Sequence, residues 1–154
     1  MKSVVLGVVA AMAIASSAAA ADWRAVNANS GGVTLIDLGS VRADGPLVTG
    51  WVAFWLLHPE DDGDTDYMLA RVSISCSDGA MAFTALNRYR ANGSVVASNQ
   101  LSAARTVSAP DTNGDKIVKG FCDGQYGEMS TANIAELFTP EQRAAAGQRA
   151  RAKQ

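Results

Sequence analysis

Apolar and polar residues alternate most regularly over residues 68–89 (MLARVSISCSDGAMAFTALNRY), in two runs on either side of Asp78-Gly79. An Asp-Gly pair between alternating runs signals a hairpin, because a type I′ turn needs positive φ at both central positions. A two-residue turn sets Cys76 opposite Met81, Ile74 opposite Phe83 and Val72 opposite Ala85, all on one apolar face. Arg71, Ser73 and Ser75 then line the other face, opposite Leu86, Thr84 and Ala82. Asn92-Gly93 is a second such turn. It sets Tyr89 opposite Val96 and Asn87 opposite Ser98, so that Tyr89 extends the apolar face of the first hairpin. Residues 68–76, 80–90 and 94–101 are therefore expected to form an antiparallel meander.

Earlier segments add strands. Residues 22–27 read as a first strand anchored by Trp23, and residues 33–38 as a second, separated by turn chemistry at 29–32. Residues 41–48 carry a hairpin signal at Asp44-Gly45, made less regular by Pro46. Residues 47–57 (LVTGWVAFWLL) are apolar without alternation, which predicts a strand covered on both faces, with Gly50 as a bulge or twist point. His58-Pro59 ends it.

Pro110 breaks the strand pattern. Over residues 111–122 (DTNGDKIVKGFC), Ile117, Val118, Phe121 and Cys122 recur at helical offsets, with Asp111 or Thr112 as the cap. This short helix is expected to cover the apolar face of the hairpin. Residues 130–138 suggest another short helix, and Thr139-Pro140-Glu141-Gln142 is a capping signature. Residues 143–154 offer only alanine as apolar material, so the end of the chain is read as a mobile or frayed tail, with a docking arm as the alternative. The expected fold class is α+β: a single antiparallel sheet of five to six strands packed by a short C-terminal helix, then a helical or disordered tail.

Composition places the chain. Lys2, the apolar run at residues 4–14 and the small residues at 16–21 have the layout of a secretory signal peptide cleaved before Asp22. The apolar run is shorter than the roughly 20 residues that span a bilayer. No Cys stands directly after it, among residues 15–22, so lipidation at a lipoprotein site is not expected. The formal net charge of −2 points to neither nucleic acid nor a membrane surface as partner. The charge is uneven, however: residues 60–66 (EDDGDTD) are acidic, while Arg143, Arg149, Arg151 and Lys153 make the tail basic.

Two cysteines, Cys76 and Cys122, remain after export. An even count in an exported chain predicts a disulfide, the alternative being two buried thiols. A metal site is not expected, since only His58 could join them.

Other candidate chemistry is thin. Asp62, Asp64 and Asp66 have calcium-loop spacing, but position six is Tyr67 instead of Gly and position twelve is Ser73 instead of Glu. Asp111, Asn113 and Asp115 fail the same test at Lys116 and Cys122. Both acidic segments are read as solvated turns, with a weak cation site as the alternative, and the crowded acids of residues 60–66 are expected to keep ordinary pKa values. G-x-S-x-G, H-E-x-x-H, Walker A and G-x-G-x-x-G are all missing. His58 is read as a surface loop residue, and Trp51 and Trp55 as core. No catalytic residue, metal ligand or cofactor is assigned.

The order of these signals resembles the bacterial surface-adhesin protein E family. The carriers are Trp23 near the mature start, Asp37 ahead of a strand with Trp51, Cys76 ending a strand, Tyr89 and Gly93 around a turn, Pro110, and a helix ending in Cys122. They span residues 23–123; the acidic loop and basic tail fall outside the pattern. The resemblance implies a small antiparallel sheet packed by a C-terminal helix with its cysteines bridged. It also implies an outer-surface adhesin that binds host matrix proteins and dimerises. The chain thus divides into a signal peptide (1–21), an adhesin-E-like β-rich domain (22–123) and a tail (124–154). The expected function is that of an exported, non-enzymatic binding protein at the cell surface or in the periplasm. Its contact with a host matrix or cell-envelope protein would run through a sheet edge or exposed face. A periplasmic accessory protein is the alternative, and a small periplasmic enzyme ranks third.

Overall fold

The computed structural model describes residues 20–57, 64–102 and 104–153. His58 and residues 60–63 of the acidic loop lie outside the described residues, as does the signal segment up to residue 19. Strands β1 (Trp23–Asn29), β2 (Gly32–Asp44), β3 (Leu47–Leu56), β4 (Tyr67–Ser75), β5 (Ala80–Tyr89) and β6 (Val95–Gln100) come first. The two-residue strand β7 (Thr106–Val107), helix α1 (Asn113–Asp123) and strand β8 (Ser130–Thr131) come next. A 3₁₀ turn (Ile134–Leu137) and helix α2 (Pro140–Ala152) end the chain. The strands form one antiparallel sheet in the order β6-β5-β4-β3-β2-β1-β8, with β7 on β5 beside β6.

The sheet has eight strands, not five to six. The additional ones, β7 and β8, are too short to show alternation. Residues 33–38 and 41–44, which looked like separate pieces, are one strand, β2, whose pairing with β3 slips between Asp37 and Arg42; the hairpin signal at Asp44-Gly45 is the turn that joins β2 to β3. Asp37 organises that irregularity: its buried Oδ1 accepts from Asp22 N–H (2.8 Å) and Gly39 N–H (3.0 Å). Ser40 Oγ accepts from Trp51 N–H and donates to the Asp37 carbonyl.

The first hairpin differs from its expected register. Ser75 pairs with Ala80, Ile74 with Met81 and Val72 with Phe83, leaving a four-residue loop at 76–79. Gly79 takes the positive φ (70°), but Asp78 does not. Instead the Asp78 carboxylate accepts from Ala80 N–H at 3.2 Å, and Gly79 N–H bonds the Ser75 carbonyl. The two-residue I′ turn therefore does not form, and Cys76 leaves the ladder. Further along, Arg71 pairs with Ala85, so Thr84 is an extra residue. An inserted residue reverses which way the subsequent side chains point. Leu86 thus joins the face of Val72 and Ile74, while Tyr89 goes to the opposite face and stacks on Tyr67. In the second hairpin Asn87 pairs with Ser98 as expected, but Tyr89 pairs with Val95, not Val96.

Helices cover both faces. Thr112 caps α1 by accepting from Asp115 N–H, and Gly124 closes it in the left-handed region. Ile117 packs into Ile36, Val52, Val72, Ile74 and Met81, with Phe121 and Cys122 at the margin. Gly120 lets the helix approach: a Cβ there would sit 2.7 Å from Val26 and 2.8 Å from Ile36. Gly50 is not a bulge but a regular partner of Val72, and its missing side chain is the space the Phe121 ring occupies. On the other face Trp23, Val33, Leu35, Ala53 and Tyr67 pack with Ala91, Ile134, Phe138 and Ala146. The mobile-tail expectation is therefore corrected. α2 carries a complete capping box, Thr139 with Gln142, and buries Ala146 completely.

Candidate binding surface

The two cysteines are joined, with Cα atoms 5.6 Å apart and 46 residues of separation. The bridge ties the C-terminal turn of α1 to the end of β4. That fixes the helix over one half of its sheet face.

The described part of the acidic loop is not a solvated turn. Asp64 and Asp66 are buried. Asp64 accepts two hydrogen bonds from the Arg90 guanidinium at 2.7 Å and one from Lys153 at 2.9 Å. Asp66 accepts from Ala91 N–H at 2.8 Å and from Arg149. The Lys153 hydrogen bond, with Arg90 beside it, holds the Asp64 carboxyl below its ordinary value despite burial. These acids therefore work as a clamp joining the loop before β4, the β5–β6 turn and α2. Arg90, Arg149 and Lys153 are the residues that reading the sequence missed. The opposed charge of loop and tail was the signal that could have found them.

The second acidic segment caps a helix. Asp115 pairs with Lys119 at 2.8 Å and accepts from Asp111 N–H. Among the described residues no group of three or more His, Cys, Asp or Glu side chains converges as a metal site. Trp55 packs edge-on against Phe138, with ring centroids 5.6 Å apart, and Trp51 lies at the border of the same cluster. Both tryptophans are thus half-buried supports of the α2 face.

What stays open lies on the α1 face, away from the helix. Phe54, Met68, Ala70, Phe83, Leu86 and Leu101 line a wholly apolar cleft of about 220 Å³. It exists because the extra residue at Thr84 turns Leu86 to this side. A second cleft of about 340 Å³ adjoins it between α1 and the chain before it, sharing Phe54 and Phe83. The rim of the first cleft includes Leu101, 38% exposed, which directly follows β6, an outermost strand of the sheet whose first residue, Val95, is 57% exposed. Among the described residues no helix is long and apolar enough to cross a membrane.

A family model described as surface-adhesin protein E matches residues 23–123. Two solved structures from Haemophilus influenzae are similar to the chain. Protein E in crystal form II is 13% identical, covering 65% of this chain and 93% of that one, with a TM-score of 0.45. Protein E from a non-typeable strain is also 13% identical, covering 94% and 97%, with a TM-score of 0.45. No curated protein matches.

Proposed function

The chain belongs to the surface-adhesin protein E family, and on that premise we propose that it is an exported, non-enzymatic protein that acts at the cell surface by binding a host matrix protein. The match over residues 23–123 carries this reading. The Cys76–Cys122 disulfide supports export, because such bonds persist in oxidising compartments. The layout of residues 1–21 supports a cleaved signal peptide. In this reading residues 22–123 are the family domain, and residues 124–154 serve it as a brace through α2.

Protease treatment of intact cells, read with an antibody against the protein, tests the location; cleavage is expected. Immobilised matrix proteins probed with residues 22–154 test the activity, and saturable binding is expected. Protection in intact cells together with no matrix binding would instead place the protein in the periplasm as an accessory factor.

A further inference from the structure

β6 is an edge strand whose one irregularity, the extra residue Val96, leaves residues 97–100 in regular pairing with β5. Its sequence, VVASNQ, has no charge and no proline, whereas exposed edges are commonly blunted by lysine, proline or a covering segment. At the other end of the sheet β1 is covered by the chain itself, by β8 and the residues before it: Ala25 N–H bonds the Met129 carbonyl, and Gly127 N–H bonds the Ala25 carbonyl. Among the described residues nothing pairs with the outer side of β6.

The direction of its backbone groups is set by the ladder. Leu101 N–H donates to the Thr84 carbonyl on β5. Backbone groups alternate sides along an antiparallel strand. Ala97 and Asn99 therefore point theirs at β5, and Ser98 and Gln100 point theirs outward. At about 3.4 Å per residue, the edge is about 20 Å long. Its two faces differ. Leu101 forms the rim of the apolar cleft, while Ser98 and Gln100 share the other face with Asn87 and Ala85, and Ser98 Oγ donates to Asn87 at 2.6 Å.

We propose that this edge takes up an extended segment of a partner polypeptide as an added strand. Its backbone would pair with Ser98 and Gln100, with apolar side chains toward the Leu101 cleft and polar ones toward the other face. The proposal rests on the binding role assigned above and names the surface that performs it. It is recognition of a backbone with alternating side chains, the mode in which ladder hydrogen bonds give affinity and alternate side chains give specificity.

The probe is an eight-residue peptide alternating leucine and threonine, with lysine at each end. The control is the same peptide with alternate backbone nitrogens methylated. Titrated into isotope-labelled residues 22–154, the probe should shift and slow the exchange of the Ser98 and Gln100 amides, and the control should not. Ser98→Pro removes one outward donor and leaves the β5 ladder intact. It should weaken the probe at least about tenfold, whereas Ser98→Ala, which loses only the Asn87 contact, should change it by no more than about twofold. Gln100→Pro gives the same test should Ser98→Pro not fold.

Probe binding that survives Ser98→Pro overturns the proposal. So do shifts confined to Phe83 and Leu86, no shifts at all, and a dimer of this chain that Ser98→Pro abolishes. Matrix binding retained by Ser98→Pro would sink the edge and spare the binding role. Absence of matrix binding in the unaltered chain would sink the role itself.

Discussion

Tyr67 and Tyr89 lie ring on ring, 4.9 Å between centroids and 9° from parallel, on the face that α2 covers. Uninterrupted alternation would have sent Tyr89 to the other face; the extra residue at Thr84 brings it here. Burial first, and then neighbouring Tyr89, push the Tyr67 hydroxyl up to about 12. A raised folded value means that Tyr67 contributes stability that is complete below the unfolded value of about 10 and is lost as pH rises toward the folded one. The urea midpoint should therefore fall between about pH 10 and 12. One of the three tyrosines should ionise late by tyrosinate absorbance, and Tyr67→Phe should remove that late step. A titration that Tyr67→Phe leaves without loss of any late step would contradict the burial argument.

The Asp64–Arg90 pair makes a second prediction. Both side chains are below 10% exposed, at 6% and 9%. Asp64→Ala would leave Arg90 buried without its countercharge, a loss of about 3–5 kcal/mol. Because the folded carboxyl is held low, its contribution is present above the unfolded value of about 3.9 and is lost as pH falls through the folded one. Urea unfolding of both proteins at neutral and at acid pH measures this. The gap between them should narrow only at acid pH.

Close approach should make Gly50 intolerant. An added Cβ would meet the Phe121 ring at 2.5 Å, so Gly50→Ala should cost about 1–3 kcal/mol through overpacking. The double variant Gly50→Ala/Phe121→Leu should recover part of the loss. If Gly50→Ala alone matches the unaltered midpoint, the ring is not held where it is described.

Removing the disulfide with Cys76→Ser/Cys122→Ser should lower stability by about 4 kcal/mol on the chain-entropy model, given the loop it closes. Unfolding of the oxidised and reduced forms side by side provides the check. Equal midpoints would mean that α1 is held by packing alone.

Ala146 tests whether α2 is docked. It is fully buried, so Ala146→Asp would place a carboxylate among Phe138, Tyr67 and Trp23. Limited proteolysis should then cut within residues 140–153 much faster than in the unaltered chain, with the rest of the fold intact. Identical cleavage rates would return α2 to the status of a loose end.

The strands of the first hairpin and α1 were legible from their own periods, β3 from a continuous apolar run, and β2 only in part, because its irregular pairing after Asp37 divided it. Residues 68–75, 80–83 and 111–122 show theirs openly, and the Thr112 cap was among those expected. The bulge at Thr84 was not legible, since apolar residues continue on both sides of it in Phe83, Ala85 and Leu86. Nor was the docking of α2, because alanine serves equally on a buried or an exposed face. The clamp at Asp64 joins residues 89 apart, a pairing that local pattern cannot express. As for the candidate surface, residues 94–101 announced a strand, but only the order of the sheet makes that strand an edge.

The pairing of β1 with β8 sets a schedule for synthesis. The first strand takes a second neighbour from residues 130–131, and Asp64 takes Arg90 and Lys153, so the contacts of greatest sequence span wait for the end of the chain. Such long-range closure is slow. Until those last residues are free, Trp23 and Arg24 lack their outer neighbours and Asp64 lacks Lys153, so the sheet can assemble before its rim and its clamp are complete.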